Sequence, residues 1–259
     1  MAGEQLEIVF KYKSLDAQTA MQRVAEVFVR YGINSPEFGL SGHKLSTPRL
    51  LPELRAVTSF DIDGYGYNFL FGSLPKFQLD FLIIKSTSEA DLAWDDWVSA
   101  FDGNADFVMA WVADVDYDHW QNSTDPMEYE VVGRSYAHLP LRSNGMPFPL
   151  ERMEIDTSRN PGRWRFGTGY IEAVGATMWL GSSFWELTGA DRSKLENVTW
   201  LKRFEQTPNL MKIQAADACF TTGEGEIGER QFLLRTLLFP QQVSDRRGTS
   251  HPPSTSTRH

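Results

Sequence analysis

Between Leu6 and Tyr117 the chain alternates strand-length apolar runs with two stretches of helical period, and that order restricts it to a small set of mixed folds. Residues 6–12 read as a strand. From 15 to 31, Ala20, Val24, Val27, Phe28 and Tyr31 recur on one helical face, with Ser14 as N-cap and Gly32 as stop. Residues 35–54 read as loop, broken by Pro36, Pro48 and Pro52. Residues 57–62 and 65–71 read as strands around the Asp63-Gly64 turn, and 77–84 as a buried strand. Ser88 opens a second helix that turns Trp94, Trp97, Val98 and Phe101 inward, and 107–117 is a further strand. With one middle piece merged, the order is β-α-β-β-α-β, a split βαβ arrangement. The fold class is α+β: mainly antiparallel sheet with flanking helices.

Residues 122–150 read as a loop-rich connector containing Pro126, Gly133, Pro140, Gly145, Pro147 and Pro149. The second half resumes with strands at 164–174 and 177–187, a helix at 191–204, and strands at 210–220 and 231–239. It reads as mixed α/β, a degenerate echo of the first half. The expected organisation is one globular domain over 1–240, with subdomains at about 1–122 and 150–240, and a disordered tail at 241–259. Apolar residues make up 41% of the chain, with eight Trp and 17 Phe, enough for a large core. No apolar run approaches the roughly 18–20 residues of a membrane span. The N-terminus lacks a basic region and an apolar region, and Cys219 is the one cysteine, so the expected location is the cytoplasm.

The net charge of −9 is unevenly placed. No Lys or Arg lies between Lys85 and Arg134, and the 48 residues between them carry 12 acids, against 25 basic and 22 acidic residues elsewhere. Such a segment repels nucleic acid and anionic membranes and attracts basic partners. Neither nucleic acid nor membrane is therefore an expected partner.

Signatures of catalysis are few. Gly223, Gly225 and Gly228 match G-x-G-x-x-G, but a strand is expected to follow where a dinucleotide site needs a helix, so the match reads as a hairpin turn. The five histidines show no metal spacing, and Cys219 reads as a core residue. No cofactor or metal is implied. Arg159, Arg163 and Arg165 flank a turn.

Asp114, Asp116 and Asp118 alternate on the strand expected at 107–117, which places all three on one face. Three readings compete: a solvated sheet edge, a two-metal nucleotide-acting enzyme using Asp114 and Asp116, and an acidic binding face that includes Asp91 and Asp95 from the preceding helix. Trp120, Tyr117 and Trp94 are candidate aromatic anchors for a protein partner. Met178-Trp179 and Phe184-Trp185 suit either core or interface.

The stretch from Asn144 to Arg152, then Gly169 to Gly181 with Phe184-Trp185, resembles the Imm52 family of polymorphic-toxin immunity proteins. Gly145, Glu172, Gly175, Met178, Trp179, Gly181, Phe184 and Trp185 carry the resemblance. It implies a non-enzymatic protein of type VI secretion and bacterial competition, which binds and neutralises a cognate nuclease toxin of the Tox-REase-5 type. The acidic segment, derived from other residues, suits a basic nuclease cleft. An acidic adaptor of a secretion pathway is the other non-enzymatic alternative.

Overall fold

The computed structural model describes residues 3–86, 93–104, 106–206 and 210–240. The first half contributes β1 (Glu4–Lys11), α1 (Ala17–Arg30), β2 (Glu37–Leu40), β3 (His43–Ser46), α2 (Thr47–Glu53), β4 (Phe60–Gly64), β5 (Tyr67–Leu74), β6 (Leu79–Ser86), α3 (Trp94–Ser99) and β7 (Phe107–Asp114). After it come α4 (Val115–Asn122), α5 (Pro126–Val131), β8 (Leu141–Ser143), β9 (Met153–Ile155), β10 (Thr177–Gly181), α6 (Ser182–Thr188), α7 (Arg192–Glu196), β11 (Lys202–Gln206), β12 (Leu210–Gln214) and α8 (Gly225–Leu238).

Ten strands form one sheet in the order β11-β12-β10-β7-β1-β6-β5-β4-β2-β3, and the pairings are antiparallel. Its centre, β7-β1-β6-β5, has the strand order of a split βαβ unit, with α1 and α3 packed on the same face. The fold is the expected α+β one with a large antiparallel sheet. The second half extends that sheet, because β10 pairs with β7 through Met178 opposite Trp111 and Leu180 opposite Met109.

The sheet separates two cores. On one face Leu6, Ile8 and Phe10 of β1 meet Met21, Val24 and Phe28 of α1 and Trp97 of α3. On the other, Val9, Met109, Trp111, Met178 and Leu180 meet Phe184, Leu234 and Leu238. Both faces of β1 are covered, which is why its sequence lacks clean polar alternation. The N-cap of α1 is Asp16 rather than Ser14: its Oδ1 accepts from the Thr19 amide at 2.7 Å, whereas the Ser14 amide closes a turn onto Lys11.

Other expectations are corrected. Residues 35–54 hold the β2–β3 hairpin and α2, joined at Ser41-Gly42, both with positive φ. Residues 164–174 form no strand beyond a single bridge between Phe166 and Ile171. The run at 177–187 divides into β10 and α6, and the helix expected at 191–204 is one turn followed by β11. Residues 231–239 belong to α8. A helix therefore does follow Gly223-x-Gly225-x-x-Gly228, contrary to the strand expected there. The preceding strand, β12, ends far upstream at Gln214, and Gly228 is glycine because a Cβ would collide with the Gly223 carbonyl. Ser88 and the tail at 241–259 lie outside the described residues.

Candidate protein-binding surface

The strand expected at 107–117 stops at Asp114, and this rearranges the acidic row. Asp114 caps α4, its Oδ1 accepting from the Tyr117 amide at 2.8 Å, so Asp116 and Asp118 lie on a helix and not on a strand face. Asp116 is exposed and accepts from Trp120 Nε1 at 3.1 Å, one helical turn on. Asp118 instead points toward the sheet beside Glu7. Burial raises its pKa to about 6 against the opposing pull of Lys85 and Trp164.

Asp95 belongs to the opposite side of the molecule. It accepts from Trp179 Nε1 at 3.1 Å and from Lys212 Nζ at 2.5 Å, and Trp179 packs into the core on the face that carries α1 and α3. Glu7, which faces Asp118, projects to the other side of β1. Asp95 and Asp118 are thus separated by the sheet, and the expected single acidic face of Asp91, Asp95, Asp114, Asp116 and Asp118 is not assembled; Asp91 lies outside the described residues. Several other acids of the segment are also engaged locally: Asp96 with the Tyr31 hydroxyl, Asp106 with Lys11 at 3.4 Å, and Glu130 with the Tyr136 hydroxyl at 2.8 Å. Among the described residues no three His, Cys, Asp or Glu side chains converge as metal ligands. Burial, then Glu4, pushes the Cys219 thiol pKa up, the reverse of an activated nucleophile.

The residues carrying the family resemblance divide by role. Met178, Trp179 and Phe184 are core, which resolves the choice between core and interface for them. Trp185 is half-buried beneath the guanidinium of Arg192. Glu172 is buried and pairs with Arg165 at 3.2 Å. Gly175 and Gly181 lie against β7, where a Cβ would strike the carbonyls of Val112 and Phe107 respectively. The variant Gly181→Ala is expected to lose about 1–3 kcal/mol of stability in urea unfolding, because backbone on both sides must move.

Gly145 has a different setting. It sits with φ +72° in the loop joining β8 and β9, the hairpin of a small second sheet. Asn144 organises this loop: its Oδ1 accepts from the Met146 amide at 3.1 Å and the Arg152 amide at 3.2 Å, and its Nδ2 donates to the Leu150 carbonyl at 3.1 Å. The Asn144 amide donates to the Arg152 carbonyl at 3.0 Å and the Leu150 amide to the Pro147 carbonyl at 2.9 Å. A loop so tied holds its side chains in place without a core beneath it. It presents Met146, Phe148 and Leu150 to solvent, with Phe148 90% exposed. Nearby in sequence, α5 leaves Met127 and Val131 exposed, Val131 at 83%. Single exposed apolar residues are ordinary, but here three fall within five positions of one pre-ordered loop. The sequence marks the stretch as a motif and as a connector, without the hydrogen bonds that make it rigid.

Behind the hairpin, α4, α5 and the following loops enclose a cleft of about 300 Å³ lined by Asp116, Trp120, Tyr129, Arg134, Asp156 and Glu224, among others. Trp120 meets Tyr129 edge-on at 4.6 Å between centroids, and the Arg134 guanidinium lies 4.6 Å from the Trp120 ring. No helix among the described residues is long and apolar enough to cross a membrane.

No protein-family model and no curated protein matches the chain. Among solved structures it is similar to a T6SS protein of Pseudomonas aeruginosa, at 12% identity and a TM-score of 0.48, over 92% of this chain and 72% of that one.

Proposed function

We propose that the protein is an immunity protein: it acts by binding and neutralises a cognate nuclease toxin of basic character inside the producing cell. The observation that carries this reading is the hairpin loop at 144–152, whose hydrogen bonds hold Met146, Phe148 and Leu150 outward. The loop lies within the stretch from Asn144 to Arg152 that resembles Imm52 proteins, to which it contributes Gly145. Between Asp114 and Asp156 the sequence holds nine acids and three arginines, so the net charge of the segment that includes the hairpin favours a cationic partner. The electrostatic role rests on this connector and α4 rather than on the wider acidic row. Charge steers the encounter, and the apolar tip supplies affinity that rim charges rarely provide.

The test pairs the purified protein with its proposed cognate, a toxin of the Tox-REase-5 type. Phe148→Ala is expected to weaken the complex by about 2 kcal/mol, roughly thirtyfold in Kd, with unchanged thermal stability because the ring touches little of its own protein. Calorimetry would check the affinity and a DNA-cleavage assay the neutralisation. An unchanged Kd with the alanine variant would remove the hairpin from the interface. No binding by the parent chain would remove the immunity reading itself.

A further inference from the structure

The cleft behind the hairpin has a composition that neither a core nor a solvated surface requires. One wall is aromatic: Trp120 braced by Tyr129, whose hydroxyl donates to the Trp120 carbonyl at 3.4 Å. Asp116 stands at the indole edge, oriented by Trp120 Nε1, and makes no ion pair among the described residues. Glu224 lines the cleft from the turn before α8, also without an ion pair. Asp156 is partly neutralised by Arg142 at 3.7 Å. The cations lining the cleft are Arg134 and, when protonated, His138.

Arg134 shows what the cleft accepts. Its guanidinium rests against Trp120 with no carboxylate partner among the described residues, and the residue as a whole is exposed. An exposed contact of this kind is weak, about 0.5–1 kcal/mol. Arg134 is therefore a tethered, displaceable occupant of an aromatic site with acids at its margin. Guanidinium stacks on indole while its edge pairs with carboxylate, a combination that an ammonium matches less well.

We propose that this cleft is the receptor for an arginine side chain of the protein partner, and that Arg134 fills it until the partner displaces it. The proposal deepens the docking function above and rests on it, since a basic partner would present such a side chain.

The experiment uses the protein alone, so that it can fail independently of toxin binding. The probe is N-acetyl-arginine amide, with N-acetyl-citrulline amide as an isosteric uncharged control and inorganic phosphate as the opposite charge. The readout is the Trp120 indole N–H resonance, assigned by its loss in Trp120→Leu. Saturable shifts with the arginine probe and none with the citrulline one are expected. Arg134→Ala should tighten binding severalfold, because the competitor is gone. Asp116→Asn, a change at an exposed position that leaves the fold intact, should weaken it by about tenfold. Absence of a saturable shift with the arginine probe would overturn the proposal. So would weaker binding in Arg134→Ala, or a phosphate response that this variant abolishes, because either result would make Arg134 part of an anion site.

Discussion

Replacing Arg235 with methionine is expected to destabilise the protein by about 3–5 kcal/mol, at the upper end of what a single substitution does to a folded domain. Arg235 lies on α8 and is only 4% exposed. Its guanidinium donates to three backbone carbonyls of one long loop: Nε to Pro161 at 3.1 Å, Nη1 to Glu172 at 2.9 Å, and Nη2 to Arg163. Burial, and then the neighbouring Arg163, pull its pKa down to about 9, which leaves it charged at neutral pH. The loop at 156–176 has almost no regular secondary structure, so these bonds replace the ladder that a strand would have supplied. Methionine fills similar volume but leaves three carbonyls without donors, at about 1–3 kcal/mol each. Lysine keeps the charge and loses the planar fork, so Arg235→Lys should fall between the two. Urea unfolding measures the loss, and hydrogen exchange should rise first in the loop. If Arg235→Met were as stable as the parent, the cost of burying the cation would equal everything its hydrogen bonds return.

Arg235 also explains why α8 reads as a strand in the sequence. The buried positions Gly228, Gln231, Leu234, Arg235 and Leu238 follow a helical period, but only two of the five are apolar side chains. A rule that seeks apolar side chains at i, i+3 and i+4 finds only Phe232, Leu233, Leu234, Leu237 and Leu238, which resemble a continuous buried strand. Phe232 and Leu233, meanwhile, are exposed. The period becomes visible once it is known that Gln231 donates to the Val174 carbonyl and accepts from the Tyr117 hydroxyl. Where burial is apolar and local, as in α1, β1, β5 and β6, the pattern is legible. Where it depends on polar side chains satisfying a distant loop, it is not.

The candidate site is legible in its composition and not in its geometry. The concentration of acids between Lys85 and Arg134 is a fact of sequence, but alternation at Asp114, Asp116 and Asp118 suggests a strand only if nothing interrupts it. Asp114 interrupts it by capping the next helix, a role open to any aspartate that precedes a turn of helix. The first acid that departs from the strand takes the other two with it, and Asp118 is turned against the sheet. The lysine that binds Asp95 lies 117 residues along the chain, a pairing no local pattern announces. The exposed hairpin tip has a sequence signal of a modest kind: Met146, Phe148 and Leu150 between prolines, in a stretch too short and too interrupted to be core.

The half-buried carboxyl of Glu7, next to Asp118 of α4, gives the second large effect, and its sign is opposite to that of most acids. Glu7 projects from the central strand β1 with Gln5 Nε2 donating to it at 2.8 Å, and with Asp118 and Lys85 as its charged neighbours. Burial, reinforced by Asp118, raises its pKa from 4.5 to about 8, and Asp118 is itself raised to about 6. The folded protein therefore holds protons that the unfolded chain has released, so stability is fully present below about pH 4 and declines as the pH rises toward 8. At about 1.4 kcal/mol per unit, reduced for the partial exposure of Glu7, the decline attributable to this residue is roughly 3–4 kcal/mol. Glu7→Gln retains an acceptor for Gln5 and has no proton to lose. It should be more stable than the parent by about 3 kcal/mol at pH 8.5 and nearly equal to it at pH 4.5. The difference between the two unfolding free energies, followed across that range, separates Glu7 and its coupled neighbour Asp118 from the other titrating groups. Parallel curves would mean that Glu7 ionises normally, with its carboxyl solvated despite its place on the central strand.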